Sequence, residues 1–168
     1  MKLTSQIICE IIKNGMGLDS DQIWIYNQRR SIPEDEKLYI TVGMSAMKPY
    51  GNNRSNRSAD DGSYSENLSQ YIQEMISIDV MSDTTEAQER YHEVLGALVS
   101  SFSQEIQKTY ALKISEMPTT IVDVSEIDGA TILNRLSITL NVLRKYDMLM
   151  GAAYYDSFSK VSKPLVDK

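Results

Sequence analysis

The chain has 168 residues, 42% of them apolar, a net charge of −6 and one cysteine. That length and apolar content suit one domain spanning 1–168 with an unstapled core, and Cys9 alone excludes an intramolecular disulfide, so a reducing cytoplasm is the expected setting. The negative balance opposes a nonspecific grip on nucleic acid, which draws on basic patches, and the N-terminal stretch carries Gln6, Glu10 and Lys13 within its apolar spacing, unlike a signal peptide or a membrane span.

Leu3, Ile7, Ile8, Ile11 and Ile12 share one side of a short N-terminal helix that Asn14, Gly15 and Gly17 are expected to end. Cys9 falls on the opposite side of that wheel, exposed or covered by another subunit, and is read as inert. Gln22–Gln28 and Leu38–Met47 are β-branched and aromatic runs, the second with Leu38, Ile40, Val42, Met44 and Ala46 on one face. The charged run RRSIPEDEK between them predicts a hairpin with a long turn, in which Arg29 and Arg30 form a candidate recognition tip. Lys48–Gly62 is almost devoid of apolar residues and reads as a long flexible loop, basic at its start, that orders on a partner or stays disordered. It lacks the glycine spacing and Lys-Ser or Lys-Thr of a phosphate loop.

The run from Tyr64 to Met81 is extended and ends on alternating Ile76, Ile78 and Val80. Asp83–Tyr110 is the central element: Ala87, Tyr91, Val94, Leu95, Leu98, Val99, Phe102 and Ile106 recur at three- and four-residue steps, predicting one long amphipathic helix. Ser82, Asp83 and Thr84 mark its start, with Glu86 placed as in a capping box. Beyond Pro118, Thr120–Val124 alternates, Asp128-Gly129 signals a turn, and Ile132, Leu136, Ile138, Leu140 and Val142 share a face of an unusually long last strand. A strand that outruns its sheet offers unpaired backbone to another chain. In the C-terminal segment, set off as a tail from about residue 156, Tyr154, Tyr155 and Phe158 suit a subunit interface or docking on their own domain. The expected fold is therefore α/β in the α+β sense: a mixed, mostly antiparallel sheet with one long central helix and a short N-terminal helix packed on it.

Groups for enzyme chemistry are sparse. His92 lies on the flank of the long helix without an i, i+4 ligand partner, and Asp123, Glu126 and Asp128 form the tightest acidic cluster, which reads as a solvated turn. No catalytic set, metal or cofactor is expected.

In QIWIYNQRRSIPEDEKLYITVGMSAMKPYGNN, ISIDVMS, ERYHEVLGALVSSFSQE and NRLSITLNVL, covering about Gln22 to Phe158, the chain resembles the tail terminator, or neck, proteins of long-tailed bacteriophages. The resemblance rests on the order and wording of segments and on no catalytic signature. It implies a non-enzymatic virion protein assembled in the host cytoplasm as a homo-oligomeric ring, commonly of six, at the head-proximal end of the tail. Such a ring ends tube growth and joins tail to head. Its implied partners are further copies of itself, the tail-tube protein with the sheath protein as a further candidate, and a head-completion or connector protein; DNA passes through without specific binding, and no membrane is involved. The candidate partner-binding residues are Arg29, Arg30, Lys48, Tyr50, Asn52, Asn53, Arg54, Arg57, Tyr154, Tyr155 and Phe158. Two other classes stay open at this level: a small cytosolic enzyme using the acidic cluster, and a monomeric protein-binding domain.

Overall fold

A computed structural model describes residues 2–26, 35–58, 64–116, 118, 120–128 and 131–151. Along the chain these form α1 (Thr4–Met16), β1 (Ile23–Ile25), β2 (Tyr39–Ser58), β3 (Tyr64–Ser82), α2 (Glu86–Val99), α3 (Ser101–Thr109), β4 (Leu112–Glu116), β5 (Ile121–Asp123), β6 (Glu126–Asp128) and β7 (Thr131–Gly151). The architecture is α+β: three helices and a mostly antiparallel sheet in the order β1-β2-β3-β7-β4, with β5 and β6 also paired to β7.

Helix α1 forms as its isoleucine spacing predicts, and Ile7, Ile8, Ile11 and Ile12 have no exposed surface. Burying each of these side chains is worth roughly 1.5–3 kcal/mol against leaving it in water. Leu3, expected on the same stripe, lies outside the helix and is exposed, while its N–H donates to Gln6 Oε1 at 3.0 Å. The helix runs through Asn14 and Gly15 and stops at Gly17, whose φ of +66° is the left-handed conformation that glycine adopts without strain. Gly15 has a packing role instead: a Cβ built there would lie 2.4 Å from Ala97 Cβ, so its lack of a side chain lets α1 and α2 approach closely.

The single long helix expected over Asp83–Tyr110 is two helices. Ser100 is extended (φ −61°, ψ 159°) and separates α2 from α3. Its hydroxyl accepts the Ser103 N–H at 3.1 Å and donates to Ala97 O at 2.7 Å, capping the new helix and holding the end of the old one. Within α2, Ala87, Val94, Ala97 and Leu98 are buried, whereas Val99, expected on the stripe, is exposed at its end. Helix α2 also starts three residues later than Asp83 suggests. The Ser82 hydroxyl accepts the Ala87 N–H at 2.9 Å, and Glu86, rather than closing a capping box, pairs with Arg90 at 2.7 Å.

The expected hairpin between the first two strand runs is not formed. β1 pairs with β2 in parallel, Ile23 opposite Ile40 and Ile25 opposite Val42. A parallel pair needs a crossover of a dozen or so residues, and the thirteen residues 26–38 between β1 and β2 are enough for one. β3 then pairs antiparallel with β2, and β7 with β3, from Ser82 opposite Asn134 out to Ser65 opposite Gly151. The core lies between one face of this sheet and the helices: Ile40, Val42, Ile76, Ile78, Val80, Ile138, Leu140 and Val142 meet the α1 isoleucines, Val94 and Leu98.

The flexible loop expected at 48–62 is corrected over its first eleven residues. Lys48–Ser58 continues β2 and pairs with β3 out to Ser58 opposite Tyr64, with register shifts between Met44 and Ala46 and between Pro49 and Gly51. The backbone ladder to β3 holds this polar segment extended where its side chains supply no apolar alternation. The remainder, 59–62, lies outside the described residues.

Candidate partner-binding surface

Past the helices, the far halves of β2, β3 and β7 continue together as a three-stranded ribbon. One level of it is Asn52, Gln70 and Tyr146; its far level is Arg57, Ser65 and Gly151. Every β2 residue from Met44 to Ser55 is exposed. The ribbon thus presents Lys48, Tyr50, Asn52, Asn53 and Arg54 on one strand, as the sequence suggested they would act together, but on a sheet instead of a loop. Arg54 forms an ion pair with Glu66 across the ladder. Tyr50 tilts against Tyr71 with ring centroids 6.0 Å apart. The backbone of Arg57 belongs to the same strand, whereas Arg29, Arg30, Tyr154, Tyr155 and Phe158 lie outside the described residues.

Sequence reasoning missed the ribbon's apolar content. Met44, Met47, Met75, Met148 and Met150 are exposed there, and Leu149 is 74% exposed. Methionine is an adaptable side chain suited to docking surfaces. In a sequence it is read first as core. The usable signal was the run Met148-Leu149-Met150 at the end of a strand whose in-out alternation stops after Val142.

At the ribbon's base a cleft of about 460 Å³ opens between the start of α1, β1 and the core-side face of the ribbon. Leu3, Ile25, Met44, Met47 and Ile72 supply its apolar wall and Glu74 and Tyr146 its polar end. Glu74 is 5% exposed and accepts the Tyr146 hydroxyl at 2.5 Å. Burial, and secondarily this bond to a carboxylate, pushes the Tyr146 phenol above its usual value. Next to them the buried Arg144 donates to Thr4 Oγ1 at 2.8 Å and Lys2 O at 2.9 Å, which fastens the first turn of α1 to β7. A second cleft, about 360 Å³, lies on the opposite face of the sheet. Arg135 donates to Asp79 Oδ2 there at 2.9 Å, and the Ser77 and Ser137 hydroxyls are 3.4 Å apart.

The side chains singled out for chemistry are dispersed. His92 is exposed on α2, its ring edge-on to Tyr91 at 6.1 Å. Asp123 accepts the Ser125 N–H at 3.0 Å and its hydroxyl at 2.5 Å, a local turn that holds its carboxyl below the usual range. The backbones of Glu126 and Asp128 lie in β6. Cys9, expected to be exposed or covered by another subunit, is not fully exposed. It is half-buried against its own core, and burial pushes the thiol up to about 12, which leaves it protonated and unreactive at neutral pH. Among the described residues no group of three or more His, Cys, Asp and Glu is placed to hold a metal, and no helix is long and apolar enough to cross a membrane.

What the arrangement offers is contact area: an extended ribbon whose β2 edge carries the polar and basic side chains together with exposed Met44 and Met47, and whose β7 edge carries exposed Met148, Leu149 and Met150. A scan of protein-family models finds none that matches the chain, and a search of the curated proteins finds no match either.

Proposed function

We propose that this chain is a structural virion protein that forms a homo-oligomeric ring, commonly of six copies, at the head-proximal end of a phage tail. It ends growth of the tail tube and joins the tail to the head connector. The observation that carries the reading is the ribbon: an extended surface holding six of the candidate partner residues on one strand with exposed apolar side chains beside them. The resemblance of the segments from about Gln22 to Phe158 to tail terminators supplies the biological setting. In this role the chain acts by shape and contact, without catalysis. Ring faces that differ, one toward the tube and one toward the head, require heterologous subunit contacts that close. If part of the net charge of −6 lines the ring's hole, DNA passes without being held, because like charge offers phosphates no binding contact.

The test is deletion of the protein during phage assembly, with particles inspected by electron microscopy. The expected products are unjoined heads and tails of uncontrolled length, and adding the purified protein restores joining. Tails of normal length that still join heads overturn the assignment.

A further inference from the structure

The ribbon has two open edges. β6, β5 and β4 in turn cover the outer side of β7 as far as Arg144, which pairs with Leu112; among the described residues nothing pairs there from Lys145 to Gly151. β1 covers the outer side of β2 only at Ile40–Val42, and among the described residues nothing pairs there beyond the Tyr26 N–H bond to Val42 O.

These edges differ in how they are guarded. Natural sheets protect an exposed edge with lysine, proline and bulges. β2 has all three between Ser45 and Tyr50, with Lys48, Pro49 and two register shifts, and none of them from Asn52 to Ser58. β7 from Lys145 to Gly151 has only Lys145: no proline, no register shift, and the exposed run Met148, Leu149 and Met150. An unguarded apolar edge is a pairing site.

We infer that the β7 edge of one subunit pairs with the Asn52–Ser58 edge of β2 in a second copy of this chain, extending the sheet from subunit to subunit. The inference rests on the ring reading above only in its claim of self-assembly. Two features of the ribbon select a second copy as the occupant. The free stretches lie at the same levels, Asn52 with Tyr146 and Arg57 with Gly151, so a rotation about an axis along the ribbon brings one alongside the other in register. β2 and β7 are each antiparallel to β3 and so run in the same direction, giving a parallel junction under that rotation. Charge permits the junction as well: the β2 stretch carries Arg54, which pairs with Glu66 across the ladder, and Arg57, while in the β7 stretch Lys145 is balanced by Asp147 at 2.9 Å, so that edge brings no net positive charge against them. Each copy presents one edge of each kind, so the contact is heterologous and propagates around a ring.

Cross-linking of the full chain in a Cys9→Ala background tests this. Ser55→Cys and Leu149→Cys replace exposed residues at one ribbon level, and a short flexible bismaleimide tolerates small differences of register. The expected result is that neither single variant links to itself, their mixture gives dimers, and the double variant gives a ladder ending at the closed species. Linking by Leu149→Cys alone would mean that β7 pairs with its own copy and overturns the proposal. Absence of links in the mixture also overturns it, whether the chain stays monomeric, residues 152–168 of the same chain occupy the edge, or the ring closes elsewhere. A closed ring by mass without the mixed link discards the edge pairing and keeps the ring. A ladder from a protein whose deletion leaves tails normal keeps the pairing and discards the tail assignment.

Discussion

Replacing Gly15 with alanine has an outcome opposite to the one helix propensity predicts. In an exposed helix interior the change gains up to about 1 kcal/mol. Here the new Cβ would lie 2.4 Å from Ala97 Cβ and 2.9 Å from Ala97 Cα. Carbon atoms in contact prefer about 3.5–4.0 Å, so α1 and α2 must separate by more than about 1 Å. No flexible side chain can yield, because both opposing atoms are fixed to the α2 backbone. Overpacking of this kind costs about 1–3 kcal/mol, which leaves Gly15→Ala destabilised by up to about 2 kcal/mol. Gly96→Ala is the internal control. Nothing lies within 4 Å of its added Cβ, so it gains up to about 1 kcal/mol although it neighbours Ala97 in sequence. Urea midpoints of the two variants should fall on opposite sides of the parent, with unchanged slopes. Adding Ala97→Gly to Gly15→Ala should recover more stability than Ala97→Gly confers on the parent, a coupling read from the double-mutant cycle. A Gly15→Ala variant at least as stable as the parent, or a cycle that is additive, refutes the close approach of the two helices.

Leu98→Ala, at a position 1% exposed, should cost roughly 2–5 kcal/mol, whereas Glu89→Ala on the outer side of α2 should leave the unfolding midpoint nearly unchanged; equal midpoints defeat the helix-on-sheet packing. Ser100→Ala should cost about 1 kcal/mol by removing the α3 cap, and a helix content and midpoint equal to the parent's would mean that α2 and α3 run on as one helix. The folded Cys9 thiol sits at about 12, above its unfolded value, so the stability it confers is complete below about pH 8.5 and lost as pH rises toward 12. Cys9→Ala should therefore flatten the alkaline fall in stability, and parallel falls in both proteins would contradict the burial assigned to the thiol. In the isolated subunit, backbone hydrogen exchange in β2 from Asn52 to Ser58 should alternate between protected and fast amides, since an unpaired edge strand bonds on one side only; uniformly fast exchange would restore the flexible loop.

Residues whose partners are set by burial were legible from sequence. The isoleucines of α1, the Ile76, Ile78 and Val80 alternation and the Leu136 to Val142 face all went where their periods required, because each element had one face to hide. The break at Ser100 was hidden inside a continuing 3.6-residue pattern: Phe102 and Ile106 still fall on the stripe, and only the hydroxyl of one serine redirects the chain. The ribbon was missed for a related reason. Strand propensity mostly records side-chain packing, and Lys48–Ser58 is strand by virtue of its ladder to β3, a contact that no local window contains. The same applies to β1, whose parallel partner is chosen by tertiary position. The polar candidate residues on β2 were legible as exposed, while the apolar half of the surface required knowing that Met148 to Met150 lie beyond the reach of the helices.

β3 and β7 pass from the core to the ribbon's far end without a register shift, and Arg144, part-way along, is tied to Thr4 and Lys2 at the start of α1. In mechanical terms the ribbon is a cantilever with its root clamped in the core, and it has no hinge in these two strands. A pull along its length loads many ladder hydrogen bonds together in shear, while a sideways push bends the sheet and displaces Arg144. A partner seated on the β7 end of the tip is thereby coupled through Arg144 to the beginning of the first helix, 140 residues away in sequence.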